Sequence, residues 1–403
     1  GLVATSNIQH ATPAAYSAHW PNRSHYNEIA EQQVYQDIDV VFGGGKWYLL
    51  PQSEGGKRTD GENLLKVLRD RGVTIVETRE AMLATPATRV WGLFANDAMQ
   101  RDLDRAEFAP HEPSLAEMTQ KAIQILSQDP DGFFLFVEGS QVDWSSHGND
   151  PVGVVTELLA FDQAVAVALD FAKKDGNTAV LVFSDHGNGG MSIGNTQTDA
   201  TYSKMSYDSV VKAIKGATLT AEGVAMKIGD NRSEAHIRNV LKQYWGIDNL
   251  TAEEVSAIQK YEGSYLSNVI APIMSVRSNI GWTTGGHTGE DLFFYHYGVN
   301  IPTGTLENTD LAHGSAALLG FKLADVDARL YRLADDVAAQ YGATVSIDKS
   351  DPENPVLVIK KGWTARFPFS KDLLISDGDV FRLKAPTVFA PNTGKVYINL
   401  EME

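Results

Sequence analysis

The chain reads as an α/β protein built on a doubly wound, mostly parallel sheet with helices on both faces. Three observations predict this. The first half alternates between short apolar runs of strand length and longer segments with helical periodicity. Two of the runs, 133–137 and 179–183, are unbrokenly apolar, as parallel strands covered on both faces would be. Each of these two runs also ends in a cluster of acid and imidazole groups, where open α/β sheets place their sites.

The elements follow in order. Residues 1–8 read as a strand and the segment from Pro13 as a helix. A strand at 39–42 runs into Gly43-Gly44-Gly45. A helix at 62–71 is closed by Gly72, and strands follow at 73–76 and 91–94. Residues 113–126 form a helix, with Pro113 at its start and Glu117 in the first turn. After the strand at 133–137 come a helix at 154–173 and the strand at 179–183. From about 197 to 278 polar-rich helical segments dominate, such as 233–244 and 252–261, and this stretch reads as a helical insertion. A long amphipathic helix is expected over 323–341. Beyond Gly342 the pattern is β-like, at 344–347, 356–359, 380–383 and 396–400. The predicted organisation is therefore an α/β domain over 1–342 and a small β appendage over 343–403. The sequence shows no internal repeat and no low-complexity linker.

Composition narrows the function. The 403 residues are 43% apolar and 21% charged, an ordinary globular balance. With 34 Lys and Arg against 51 Asp and Glu, the net charge is -17, which argues against a nucleic-acid scaffold as partner. With no cysteine, thiolate metal sites, disulfides and a thiol nucleophile are excluded. No stretch is expected to approach the ~18 apolar residues that cross a bilayer.

The residues able to carry chemistry lie at the two strand ends. The first run continues Val137-Glu138-Gly139-Ser140-Gln141-Val142-Asp143-Trp144-Ser145-Ser146-His147; the second ends Phe183-Ser184-Asp185-His186-Gly187-Asn188-Gly189-Gly190. Asp143 and His147 are four apart, so one helical turn could aim both at one ion. Asp185 and His186 are adjacent and need an irregular turn, which the glycines after them permit. A third histidine stands in Gly285-Gly286-His287-Thr288-Gly289-Glu290. An isolated Asp-x-x-x-His is common on helix surfaces, and an Asp-His pair is common as a strand-end cap. The combination of both with a glycine-flanked His287 favours a metal centre with oxygen and nitrogen donors. His19, His25, His111, His236, His296 and His313 have no such neighbours and read as surface or packing residues.

At these motifs the sequence resembles the alkaline phosphatase family, from Gly1 to about Tyr297. His10-Ala11-Thr12-Pro13-Ala14, Pro113-Ser114-Leu115-Ala116-Glu117-Met118, Val137-Glu138-Gly139, Asp185-His186 and Gly286-His287-Thr288-Gly289-Glu290 occur in the family's order. The resemblance implies two Zn2+ and one Mg2+. Asp143, His147 and His287 match the ligands of the first zinc; Asp185 and His186 match two ligands of the second; Thr12 and Glu138 match ligands of the magnesium. Arg23 matches the arginine that grips the substrate phosphate. His10 and Trp144 match the variable positions beside the magnesium, in members that carry His and Trp there. The implied function is hydrolysis of phosphate monoesters, by phosphoryl transfer to a serine and then to water, with inorganic phosphate as product. A periplasmic or secreted location is implied, and homodimers are common in the family.

Two expected residues are missing. The family's nucleophilic serine follows an Asp, upstream of the strand that opens this chain, and an earlier Asp bridges the second zinc and the magnesium. Ser140, Ser145 and Ser146 lie in the metal loop instead. The expectation is that this chain is the large C-terminal part of a cleaved enzyme. An N-terminal fragment, bound as a separate chain, would supply the serine, the bridging Asp and a central strand. A phosphodiesterase or sulfatase of the same superfamily, or a non-catalytic metal- or phosphate-binding protein, are the alternative readings.

Overall fold

The first strand, β1 (Leu2–Asn7), has all six residues buried and pairs in parallel on both sides. It lies between two neighbours in the sheet of the computed structural model, which describes residues 1–298 and 303–403. The chain divides into two units, one of Gly1–Met99, Lys121–Glu138 and Asn300–Glu403, the other of Gln100–Gln120 and Gly139–Val299.

In the first unit β1 joins β2 (Val40–Gly44), β3 (Thr74–Val76), β4 (Val90–Leu93) and β5 (Phe136–Glu138) in the order β3-β4-β2-β1-β5. Every ladder is parallel, so the predicted α/β class holds. The chain winds outward from β1 through β2 and then crosses to β5. The winding therefore reverses beside β1, and the crevice of such a sheet opens at the carboxyl ends of β1 and β5. The connecting helices are α1 (Ala11–Ala15), α2 (Tyr26–Tyr35), α3 (Leu64–Asp70) and α4 (Arg79–Ala84). Leu2, Val41, Trp91 and Leu93 of the sheet form a core with Ala30 and Val34 of α2 and Leu64, Leu65 and Leu68 of α3. Asn63 caps α3 through the Lys66 amide. A Cβ on Gly44 would lie 1.8 Å from the Asp97 carbonyl oxygen, so only glycine fits there.

The rest of this unit holds α14 (Asn308–Leu318), α15 (Leu323–Leu330), β12 (Arg332–Leu333), α16 (Ala334–Tyr341) and the C-terminal strands. The helix expected over 323–341 is broken in two, because residues 332–333 leave it to pair with β19 (Lys395–Ile398). Strands β13 (Thr344–Asp348), β14 (Val356–Lys360), β15 (Thr364–Pro368), β16 (Leu373–Ser376) and β17 (Asp379–Arg382) make an antiparallel meander, and β18 (Val388–Ala390) pairs with β19. The meander thus has five strands where the alternation alone indicated fewer. Its side chains close a core with α16, through Val337, Leu357, Ile359 and Phe367. Arg71 of the α3 C-cap donates to both Asp372 oxygens, at 2.9 and 2.6 Å. Lys371 lies 2.9 Å from Glu62 and 3.3 Å from Glu31.

The second unit contains α5 (Asp102–Phe108), the start of α6 (Leu115–Leu126), α7 (Gln141–His147) and α8 (Pro151–Asp175). It also holds the helices of the expected insertion, α9 (Tyr207–Gly216), α10 (Ala221–Ile228), α11 (Glu234–Trp245), α12 (Ala252–Lys260) and α13 (Ser267–Arg277). Val224, Ile237, Leu241, Ile258, Ile270 and Met274 of the insertion pack with Val152 of α8. Short ladders complete the unit: β6 (Val180–Val182) with β11 (Tyr295–Tyr297), β7 (Gly187–Asn188) with β10 (His287–Thr288), and β8 (Ser192–Ile193) with β9 (Ile280–Gly281).

Three expectations are corrected. The run 133–137 becomes a strand only at 136–138, at the sheet edge and half-buried, because among the described residues no strand pairs with its outer side. The run 179–183 pairs antiparallel with β11 alone and is also half-buried. And α8 does have the length and composition of a bilayer span: 25 residues, with an 18-residue window of mean hydropathy 1.7, 28% buried. Its charges are spaced along the helix, so the apolar average is high although no continuous run is.

Candidate metal centre

Helix α7 is two turns long, so residues four apart on it share a face. Asp143 and His147 use that spacing: His147 Nε2 lies 3.5 Å from Asp143 Oδ2. The ladder of β7 with β10 brings the third group, pairing His287 with Asn188. His287 Nε2 is 3.9 Å from Asp143 Oδ1, and the His147 and His287 rings are 5.1 Å apart. One donor atom from each of Asp143, His147 and His287 lies within 4.8 Å of the other two.

The surroundings fix these side chains. His147 Nδ1 is 2.8 Å from the Gly285 carbonyl oxygen. A carbonyl only accepts, so Nδ1 donates to it, and Nε2 is the ring nitrogen that faces Asp143. Asn188 Nδ2 donates to Asp143 Oδ1 at 2.7 Å and to the Asp143 carbonyl at 3.0 Å. Gly189, at φ 75°, donates its amide to the Gly286 carbonyl and accepts from Thr283, locking the loop that carries His287. A Cβ on Gly187 would lie 2.2 Å from Glu290 Oε1, and Glu290 accepts from Thr288 at 2.9 Å. Two imidazoles and one carboxylate, half-exposed and without thiols, fit a zinc site of three protein ligands with an open fourth position.

Asp185 and His186 lie alongside rather than within this triad. Their side chains are 3.2 Å apart, and the His186 ring stacks on His287 at 3.5 Å. His186 Nδ1 faces the Gly187 carbonyl at 3.2 Å, and its Nε2 lies 3.2 Å from Asp185 Oδ2.

Thr12, Glu138, His10 and Arg23 belong to the first unit. Thr12 is on α1, just after β1, and Glu138 ends β5 opposite Ala4 in register. Both therefore sit at the carboxyl ends of adjacent strands. The Arg23 guanidinium is exposed and 3.3 Å from His10 Nε2. Trp144 is on α7, half-buried.

The sequence reading passed over Asn188 and the Gly285 carbonyl, which hold Asp143 and His147 in place. Asn188 offered a weak signal, the one amide in the glycine run after His186. It also missed a second cluster, Glu31, Asp60 and Glu62, which joins a residue of α2 to two from the segment before Leu64. That cluster carries its own cations: Arg58 pairs with Asp60, and Lys371 lies between Glu31 and Glu62. Burial pushes Glu31 up to about 7, against the pull of Lys371. It works as an ion-pair hub rather than a ligand set.

A family model described as alkaline phosphatase matches residues 1–321. Alkaline phosphatase 3 of Bacillus subtilis is 40% identical over 328 residues, 77% of this chain and 66% of that relative. Alkaline phosphatase 4 of the same species is 38% identical over 329 residues, 78% of this chain and 66% of the relative. The chain thus spans just under two thirds of the length of these relatives. Among solved structures, a cold-active alkaline phosphatase from a psychrophilic Shewanella superposes with a TM-score of 0.66 at 28% identity, over 79% of this chain and 75% of that one. The enzyme from Thermus thermophilus also gives 0.66, at 26% identity, over 74% and 65%.

Proposed function

The chain belongs to the alkaline phosphatase family, and from that premise we propose that it is the metal-holding part of a phosphate monoester hydrolase. The observation that carries this reading is the convergence of Asp143, His147 and His287 on one open point. Alkaline phosphatases are metal-dependent, and the donors here match that chemistry. In this reading Asp143, His147 and His287 hold one Zn2+, Asp185 and His186 contribute to a second, and Thr12 and Glu138 contribute to Mg2+. Such ions stabilise charge on a phosphoryl group and lower the pKa of a coordinated hydroxyl or water.

The protein's own groups bind and orient. Arg23 presents a planar guanidinium whose paired donors suit two oxygens of a phosphate monoester. His10, hydrogen-bonded to it, sets its direction. His147 and His186 are oriented by backbone carbonyls facing their Nδ1 atoms. Trp144, next to Asp143 on α7, is assigned with His10 to the surroundings of the Mg2+ on the family resemblance.

The serine nucleophile and the bridging Asp come, in this reading, from an N-terminal fragment bound as a separate chain. Two features support it, one in each unit. The outer edge of β5 carries half-buried apolar residues and pairs with no strand among those described; the same is true of the free edge of β6. Natural sheets rarely leave apolar edges bare. A homodimer and a periplasmic or secreted location belong to the same reading, on the family resemblance. The test compares hydrolysis of p-nitrophenyl phosphate, its bis-ester and the sulfate by the protein as purified. Monoester turnover abolished by chelation and restored by Zn2+ with Mg2+ is expected; faster turnover of the diester or sulfate overturns the assignment.

A further inference from the structure

We propose that Arg101 is a positioning residue for the metal centre. It grips the back of α7 so that Asp143 and His147 face the ion, and Glu222 of the helical insertion holds Arg101 there. The inference rests on the reading of Asp143, His147 and His287 as metal ligands.

The geometry of a short helix carries it. Arg101 Nη1 donates to the Gln141 carbonyl at 2.9 Å and to Ser145 Oγ at 3.0 Å. Gln141 and Ser145 are one turn apart and nearly superpose along the axis. Asp143 lies midway between them in sequence, about 200° around the helix from each at about 100° per residue. His147 is one turn beyond Asp143, on the same side. Arg101 therefore holds one face of α7 while the donors project from the opposite one. Gln141 and Ser145 are both 2% exposed, so this back face is sealed and a displaced guanidinium has no water to replace it.

A helix of seven residues has little rotational stiffness of its own. It stops at Gly148, followed by Asn149 at φ 50°, so α8 does not continue it. Its orientation depends on side contacts. On the front, Asn188 fixes the Asp143 carboxylate. On the back, the Arg101 guanidinium bridges Gln141 and Ser145, beside the bond from the Asp150 amide to the Ser145 carbonyl.

Arg101 is itself held from the insertion. Glu222, in the first turn of α10, accepts from Arg101 Nε at 3.0 Å and lies 2.9 Å from Nη2. The carboxylate thus aligns the fork, leaving Nη1 free for α7. Two further contacts tie the same elements: Glu157 of α8 accepts from the Asp102 amide at 2.7 Å, and Asp150 accepts from the Ala221 amide at 2.8 Å. The insertion is built into the support of the metal helix, not merely appended.

The test titrates Co2+ alone into the metal-free protein as purified, reading both affinity and the visible ligand-field spectrum. Wild type, Arg101→Lys and Glu222→Gln are compared, with thermal unfolding as the fold control. Supporting residues around a metal ligand typically change affinity by roughly 10- to 100-fold. Arg101→Lys is expected to weaken the first site by that order and shift its cobalt bands. Glu222→Gln, at a half-exposed position, is expected to keep the fold and weaken the site less, in the same spectral direction. Folded variants with wild-type affinity and spectrum overturn the proposal. Should Arg101→Lys not fold, Glu222→Gln decides: an unchanged cobalt site overturns it. A wild type that binds no cobalt refutes the metal assignment instead.

Discussion

At the scale of single residues, the chemistry is concentrated in a few atoms whose roles differ. Asp143 is the hub: it lies within 4 Å of both His147 and His287, and Asn188 holds it. His287→Ala is therefore expected to remove one Zn2+ per chain, by metal analysis, while α7 stays folded. Arg23 has a different role in the proposed function: its exposed guanidinium, 3.3 Å from His10 Nε2, would meet the substrate phosphate. Charge-assisted hydrogen bonds contribute roughly 1.5–3 kcal/mol, so Arg23→Ala is expected to lower kcat/KM for a phosphomonoester by about 10- to 100-fold. Metal content should be unchanged; a variant that loses zinc as well would place Arg23 in the metal site. The donors were legible in the sequence because each is an unusual residue at a strand end. Their supports were not. An asparagine, a backbone carbonyl and an arginine forty residues from the helix it grips have no local signature, and only the fold brings them into contact.

At the scale of elements, burial of charge sets the behaviour. Glu157 lies inside α8, and desolvation pushes its carboxyl up to about 7, with the Asp102 amide pulling the other way. Desolvation likewise raises Asp104 to about 6 against its bonds to Thr220. A carboxyl whose folded pKa exceeds its unfolded value takes up its proton more readily in the native state. Stability then falls as pH rises from the unfolded toward the folded pKa. The metal-free protein should gain about 1 kcal/mol from Glu157 between pH 8 and pH 6 by this linkage. Glu157→Gln should remove that slope in denaturant titrations; an unchanged slope would show Glu157 ionised in the native state. In the first unit, Arg71 and Asp372 are nearly buried and fully engaged. Arg71→Met leaves the carboxylate short of partners and is expected to cost roughly 3 kcal/mol. Arg71→Met with Asp372→Leu should cost less than the single change. The parallel strands β1 to β4 were legible because period and length agreed. The break at 332–333 was not, since a two-residue pairing with a strand sixty residues later overrides a continuous helical pattern.

At the scale of the whole molecule, the -17 net charge disfavours a phosphate-backbone partner at the surface, while in the proposed reading bound metal ions would offer an anionic phosphoester one specific place to bind. Strands β5 and β6 read as central in the sequence because their residues are apolar on both faces, and each is instead an edge among the described residues. The N-terminal fragment proposed above would account for that mismatch. Active protein separated under denaturing conditions is expected to yield a second, smaller polypeptide that carries a serine phosphorylated on turnover; activity from this chain alone would exclude it. The central claim, that Asp143, His147 and His287 form the metal centre of a phosphomonoesterase, is tested most directly by zinc titration into metal-free protein as purified. Bound zinc and monoester hydrolysis are followed together, in wild type and Asp143→Ala. Hydrolysis that appears with zinc in the wild type, and a variant that binds one zinc fewer and stays inactive, is the predicted result. A variant that binds zinc and hydrolyses the monoester as the wild type does would contradict it.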